Sequence, residues 1–64
     1  MIKKKVLDQI RVSPALIGEM AEIRNVDIQT VQRWLRNNHV NLMHIKIIKA
    51  VCSYFGIAEG ECYE

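Results

Sequence analysis

Asn25-Val26-Asp27-Ile28-Gln29-Thr30-Val31-Gln32-Arg33-Trp34-Leu35-Arg36-Asn37 is the stretch on which the fold turns. Asn25 is one of the few non-glycine residues that readily take the left-handed conformation closing a helix. Val26 can plug inward, and the Asp27 carboxylate can cap the next helix. A helix then runs from Ile28 to about Asn37. At about 100° per residue, Ile28, Trp34 and Leu35 fall within roughly 60° of Val31 and make one buried stripe. Gln29, Arg33 and Arg36 lie between about 140° and 200° from Val31, with Gln32 near 100°, and no acid interrupts them. Two helices that meet across so short a turn stand at a steep angle with the second projecting. In that geometry one helix enters a DNA groove while the other crosses the backbone.

The exposed face carries the chemistry that major-groove readout needs. Glutamine pairs with the N6/N7 edge of adenine, and arginine with the O6/N7 edge of guanine. Gln29 and Arg33 are the candidate base readers, and Gln32 suits a base or a phosphate. Arg36, farther along the helix, suits a phosphate and positions the protein without reading sequence. Thr30 lies to the side, where its hydroxyl either donates to a phosphate or satisfies nearby backbone groups. Trp34 falls on the Val31 side, so its spacing makes it the core anchor of the helix rather than a stacking platform for unpaired bases.

Upstream, Ser13-Pro14 reads as a helix start, with the Ser13 hydroxyl as cap and proline at the first helical position, and this helix continues to about Arg24. Leu16, Ile17, Met20 and Ile23 form its inner side, Ala21 allows close helix approach, and Gly18 points outward. A first helix is predicted from Ile2 to Val12. Ile2, Val6, Leu7 and Ile10 take one face, and Lys4, Lys5, Asp8 and Arg11 the other. Downstream, Met43, Ile45, Ile47, Ile48, Val51, Cys52, Tyr54 and Phe55 cover about 200° of a fourth helix, more than one small core requires. Two readings stand for the excess. Either the first helix and the C-terminal segment bury it, or Ile47 and Tyr54 make a symmetric self-contact of the kind two-fold DNA readers use. Lys46 and Lys49 take its polar side. His39 is read as a loop residue and His44 as a partly buried helix residue.

Sixty-four residues make one domain, spanning 1–64, with a small core and little room for an elaborate catalytic cleft. No nucleophile, base and orienting group can be assembled from the residues present, so no enzyme, cofactor or small-molecule substrate is expected. All nine Lys and Arg precede residue 50, against four acids there, which gives that stretch a formal +5; Glu59, Glu61 and Glu64 make the remainder −3. The asymmetry suits a polyanionic partner for the first three quarters of the chain. No apolar run reaches membrane-spanning length, and Met1-Ile2-Lys3-Lys4-Lys5 lacks the apolar segment of a signal peptide, so a soluble, cytoplasmic, nucleoid-associated protein is expected. Cys52 and Cys62 then read as reduced thiols packed as small apolar groups. With His39 and His44 they show no metal-ligand spacing, so no metal site is expected.

The segment Met20-Ala21-Glu22-Ile23-Arg24-Asn25-Val26-Asp27-Ile28-Gln29-Thr30-Val31-Gln32-Arg33-Trp34-Leu35 resembles the helix-turn-helix of the Cro/repressor-like (Xre-type) DNA-binding family. Ala21 stands at the family's small-residue position, Asn25-Val26 where Gly-Val is common, and Thr30-Val31 with Arg33-Trp34 in the recognition helix. Asn41-Leu42, Ile45, Ile48, Val51, Cys52, Phe55 and Gly56-Ile57 resemble the fourth helix and the short final helix after it. About three quarters of the chain is covered. Arg24 stands where an apolar residue is common, and Asp27 where Ser or Thr usually caps. Ile17 and Gly18 lie near the site at which the family often grips a phosphate with Gln or Thr. The resemblance implies a compact, all-α, four- to five-helix lambda-repressor-like domain. It also implies sequence-specific binding of double-stranded DNA by a small bacterial or phage transcription regulator, with a homodimer as a candidate assembly. The alternative is a protein-interaction module on the same scaffold.

Overall fold

The three central helices of this chain end where a residue supplies a left-handed corner. The computed structural model describes all 64 residues as five α-helices with a one-turn 3-10 helix between the third and fourth. They are α1 (Lys4–Arg11), α2 (Pro14–Arg24), α3 (Ile28–Asn37), the 3-10 turn (Val40–Met43), α4 (Ile45–Phe55) and α5 (Glu59–Cys62). Pro14 opens α2, where its missing N–H costs nothing. Asn25 closes it in the left-handed region, at φ 54° and ψ 48°. Asp27 caps α3, Asn38 ends it at φ 47°, and Gly56 ends α4 at φ 65°. These five ends fall on residue types that tolerate or satisfy them.

Ile10, Leu16, Met20, Val31, Leu35, Leu42, Ile47 and Val51 are fully enclosed at the centre, with Trp34 packed beside them. Burying each such side chain stabilises the fold by roughly 1.5 to 3 kcal/mol. The radius of gyration, 10.2 Å, is near the roughly 10.7 Å of a well-packed chain of this length.

Two boundaries differ from the sequence expectation. α1 starts at Lys4 rather than Ile2, because Ile2 is drawn into an antiparallel bridge with Tyr63. Lys3 N–H donates to the Cys62 carbonyl at 2.8 Å, and Glu64 N–H to the Met1 carbonyl at 2.8 Å, so the two ends of the chain lie side by side. At the other end of α1, Val12 is outside the helix as its C-cap. The Ser13 hydroxyl does not cap α2; it donates to the Gln9 carbonyl at 2.7 Å and satisfies the last turn of α1 instead.

The paired termini are fastened to the rest of the domain at two points. The Asn38 amide accepts from Ile2 N–H at 3.3 Å and donates to the Ile2 carbonyl at 2.9 Å, as a neighbouring strand would. The Tyr63 hydroxyl, buried, donates to the Leu42 carbonyl at 3.0 Å. Burial pushes the Tyr63 hydroxyl well above the ordinary tyrosine range, so it keeps the proton that this bond requires.

Candidate nucleic-acid interface

The orientation of α3 is set by three residues. Val31, Trp34 and Leu35 are buried, and they leave Gln29, Gln32, Arg33 and Arg36 exposed on the far side, as the spacing predicts. None of these four side chains makes a hydrogen bond within the chain, and the one ion pair in the molecule, Arg11–Asp8 at 3.1 Å, lies elsewhere. Two guanidinium forks and two amides are thus presented with their bonding capacity unused, on a helix without a carboxylate.

Thr30 plays a different part. The Asp27 carboxylate accepts from Thr30 N–H at 2.8 Å and from the Thr30 hydroxyl at 2.6 Å through the same oxygen. The hydroxyl proton is engaged in this cap, so Thr30 holds the start of α3 in place. The Thr30 hydroxyl and then the Thr30 N–H hold the Asp27 carboxyl below its ordinary value, with the Arg33 charge adding in the same direction. The cap is therefore a carboxylate at neutral pH, placed where the helix dipole favours negative charge.

The far end of α3 is braced by residues that periodicity did not single out as contacts. Arg11 Nη2 donates at 2.8 Å to the Leu35 carbonyl, one of the helix's unpaired terminal acceptors, and brings positive charge to the C-terminal end of the dipole. Asn38, just beyond the helix, ties that end to Ile2. The His39 ring lies 6.4 Å from the Trp34 ring at an interplanar angle of 22°, and its Nδ1 accepts from Asn41 N–H. His44 is the N-cap of α4, accepting from Lys46 N–H through Nδ1, so both rings serve as caps. No local sequence signal marks Arg11 or Asn38, whose partners stand 24 and 36 residues away.

Two expectations need correction. Ile28 is not part of the buried stripe but 50% exposed. As the first residue of α3 it overhangs the core and lines the open groove between α2 and the turn. That groove also receives Glu19, Glu22 and Asp27 and no basic side chain, so α2 offers no cationic grip on a phosphate here. Ile47 is 0% exposed and belongs to the core, so it cannot join Tyr54 in a self-contact. Tyr54 is exposed and stands edge-on to Phe55 with ring centres 5.2 Å apart. The apolar excess of α4 instead surfaces at its other end, at Ile45, with Val40 and Met43 exposed just before it.

Comparison of the chain with family models, curated proteins and solved structures gives no match. The arrangement itself offers a narrow row of paired donors and acceptors, borne on a helix whose base is buried and whose two ends are held by the Asp27 cap and by Arg11 with Asn38. Such a row can form two-point hydrogen bonds to planar edges and ion pairs to oxyanions.

Proposed function

We propose that this chain binds duplex DNA sequence-specifically, with α3 lying in the major groove, as a small cytoplasmic, nucleoid-associated transcription regulator of the Cro/repressor-like type. One observation carries the reading: Val31, Trp34 and Leu35 face the core, so Gln29, Gln32, Arg33 and Arg36 are solvent-facing and unpaired. Gln29 and Arg33 read base edges, Gln32 meets a base or a phosphate, and Arg36 neutralises a phosphate. Thr30 acts indirectly, by fixing the Asp27 cap. No helix is long and apolar enough to cross a membrane.

A second reading, a protein-interaction module, is favoured by the exposed apolar side chains Val40, Met43, Ile45 and Tyr54. The two readings separate by mutation. Arg33→Ala spares a protein partner and impairs DNA binding, whereas charge introduced at Ile45 does the reverse.

Selection from a random duplex library at two salt concentrations tests the proposal. Enrichment of one motif, with affinity falling as salt rises, is the expected result, and the spacing of repeated half-sites reports whether two copies bind together. A library that returns no motif and no salt-sensitive binding overturns it.

A further inference from the structure

Cys52 and Cys62, the only cysteines of the chain, meet with their sulfurs 3.7 Å apart. Both are free thiols, and their surroundings differ. Cys62 is fully enclosed, whereas Cys52, in the last turn of α4, is only partly buried. Both backbones are held: the Cys52 carbonyl accepts from Ile57 N–H at 3.2 Å, and the Cys62 carbonyl from Lys3 N–H at 2.8 Å. Closing the sulfurs to a bonding distance of about 2.05 Å asks for an approach of about 1.7 Å.

From this geometry we infer that the pair is an oxidant-responsive modification site: hydrogen peroxide converts Cys52 and Cys62 to an intramolecular disulfide that pins the C-terminal segment to α4. Cys52 reacts first. Cys52 is the less buried of the two, and burial, with the Cys52 contact second, pushes the Cys62 thiol up to about 11, so attack on the peroxide falls to Cys52. The Cys52 sulfur attacks one peroxide oxygen, the O–O bond breaks, and water and a sulfenic acid result. The Cys62 sulfur then attacks the Cys52 sulfur, the S–O bond breaks, and the Cys62 proton leaves with the hydroxide as a second water. Two thiols lose two electrons and two protons, and the peroxide is reduced to two waters. The new bond reinforces the region where Ile2 meets both Tyr63 and Asn38. The inference is independent of DNA binding.

The test is to treat the full chain with a small excess of hydrogen peroxide and follow intact mass, thiol alkylation and thermal unfolding. The wild type should lose the mass of two hydrogens, remain monomeric on a non-reducing gel, and resist alkylation until dithiothreitol is added. Its midpoint should rise by roughly 10 to 20 °C, as closing a loop of this size implies. Cys52→Ser should keep its mass, because the remaining thiol is enclosed. Cys62→Ala should gain one oxygen at Cys52, captured by dimedone; if that variant does not fold, the wild type and Cys52→Ser decide the matter together. Retention of two alkylatable thiols in treated wild type, accumulation of a sulfinate at Cys52, or cross-linking between chains would overturn the proposal.

Discussion

The α2–turn–α3 unit and the paired termini hold the same domain together by opposite means. In the first, the decisive contacts join residues a few positions apart: Asn25 closes α2, and Asp27 accepts twice from Thr30. In the second they span most of the chain, since Ile2 pairs with Tyr63 and with Asn38, and Tyr63 reaches Leu42. The lesson is that the exposed polar face of α3 is specified locally, while the bracing that keeps it in register is specified by distant residues. Local capping fixes where α3 starts. The long-range clasp fixes the end.

The sharpest way to break this comparison is Trp34→Ala. Trp34 is shared, anchoring α3 in the common core, so its loss should undo both regions at once. A cost of about 3 to 5 kcal/mol is expected. A domain of this size is stable by only about 3 to 10 kcal/mol, so urea unfolding should find the variant largely unfolded or barely folded. A variant that kept its midpoint would mean that Trp34 is not part of a single cooperative core.

Tyr63→Phe should separate the regions. It leaves the buried Leu42 carbonyl without its donor, a cost of about 1 to 3 kcal/mol. Hydrogen exchange should show faster loss of protection at the Lys3 and Glu64 amides than at those of α3. Equal acceleration everywhere would show that the clasp and the helix unit open together. The same bond gives a pH signature. The Tyr63 pKa is raised on folding, so its contribution is present below the ordinary value of 10.0 and is lost as pH rises through the folded value. The Phe variant should lack that alkaline decline.

Between these effects and the smallest one lies what could be read from residue order. The helices α2 and α3, the left-handed Asn25, the Asp27 cap and the buried side of α3 were legible because each follows from spacing or from the chemistry of neighbouring residues. Ile28 was misplaced, and Ile47 left between burial and self-contact, for a common reason. Periodicity assigns a side of a helix, but not whether a neighbour covers that side at a given height. Ile28 overhangs at the start of α3, whereas Ile47, in the first turn of α4, is fully covered. The bridge of Ile2 to Tyr63, the Arg11 bond to Leu35 and the amide of Asn38 have no local signature at all, because their partners are brought near only by the finished fold. Of the candidate interface, the four free side chains were legible and their bracing was not.

Asp27→Asn should have the smallest effect and act on one region only. The Asp27 pKa is lowered on folding, so its contribution is present above the ordinary value of 3.8 and is lost as pH falls through the folded value. The asparagine variant keeps a capping oxygen but should lose this acid dependence. Acid titration followed by circular dichroism, wild type against variant, checks it; identical acid transitions would remove Asp27 from the account of how α3 begins.

The central claim is that α3 reads base edges with its outer face, and the most direct measurement compares Arg33→Ala with Arg36→Ala on a panel of duplexes, each differing from the selected motif at one position. Arg33→Ala should lose about 1 to 3 kcal/mol of binding and relax discrimination at a single base pair, while Arg36→Ala should weaken every duplex alike and lower the salt dependence. Equal losses on all sequences for Arg33→Ala, or wild-type binding that ignores salt, would contradict it.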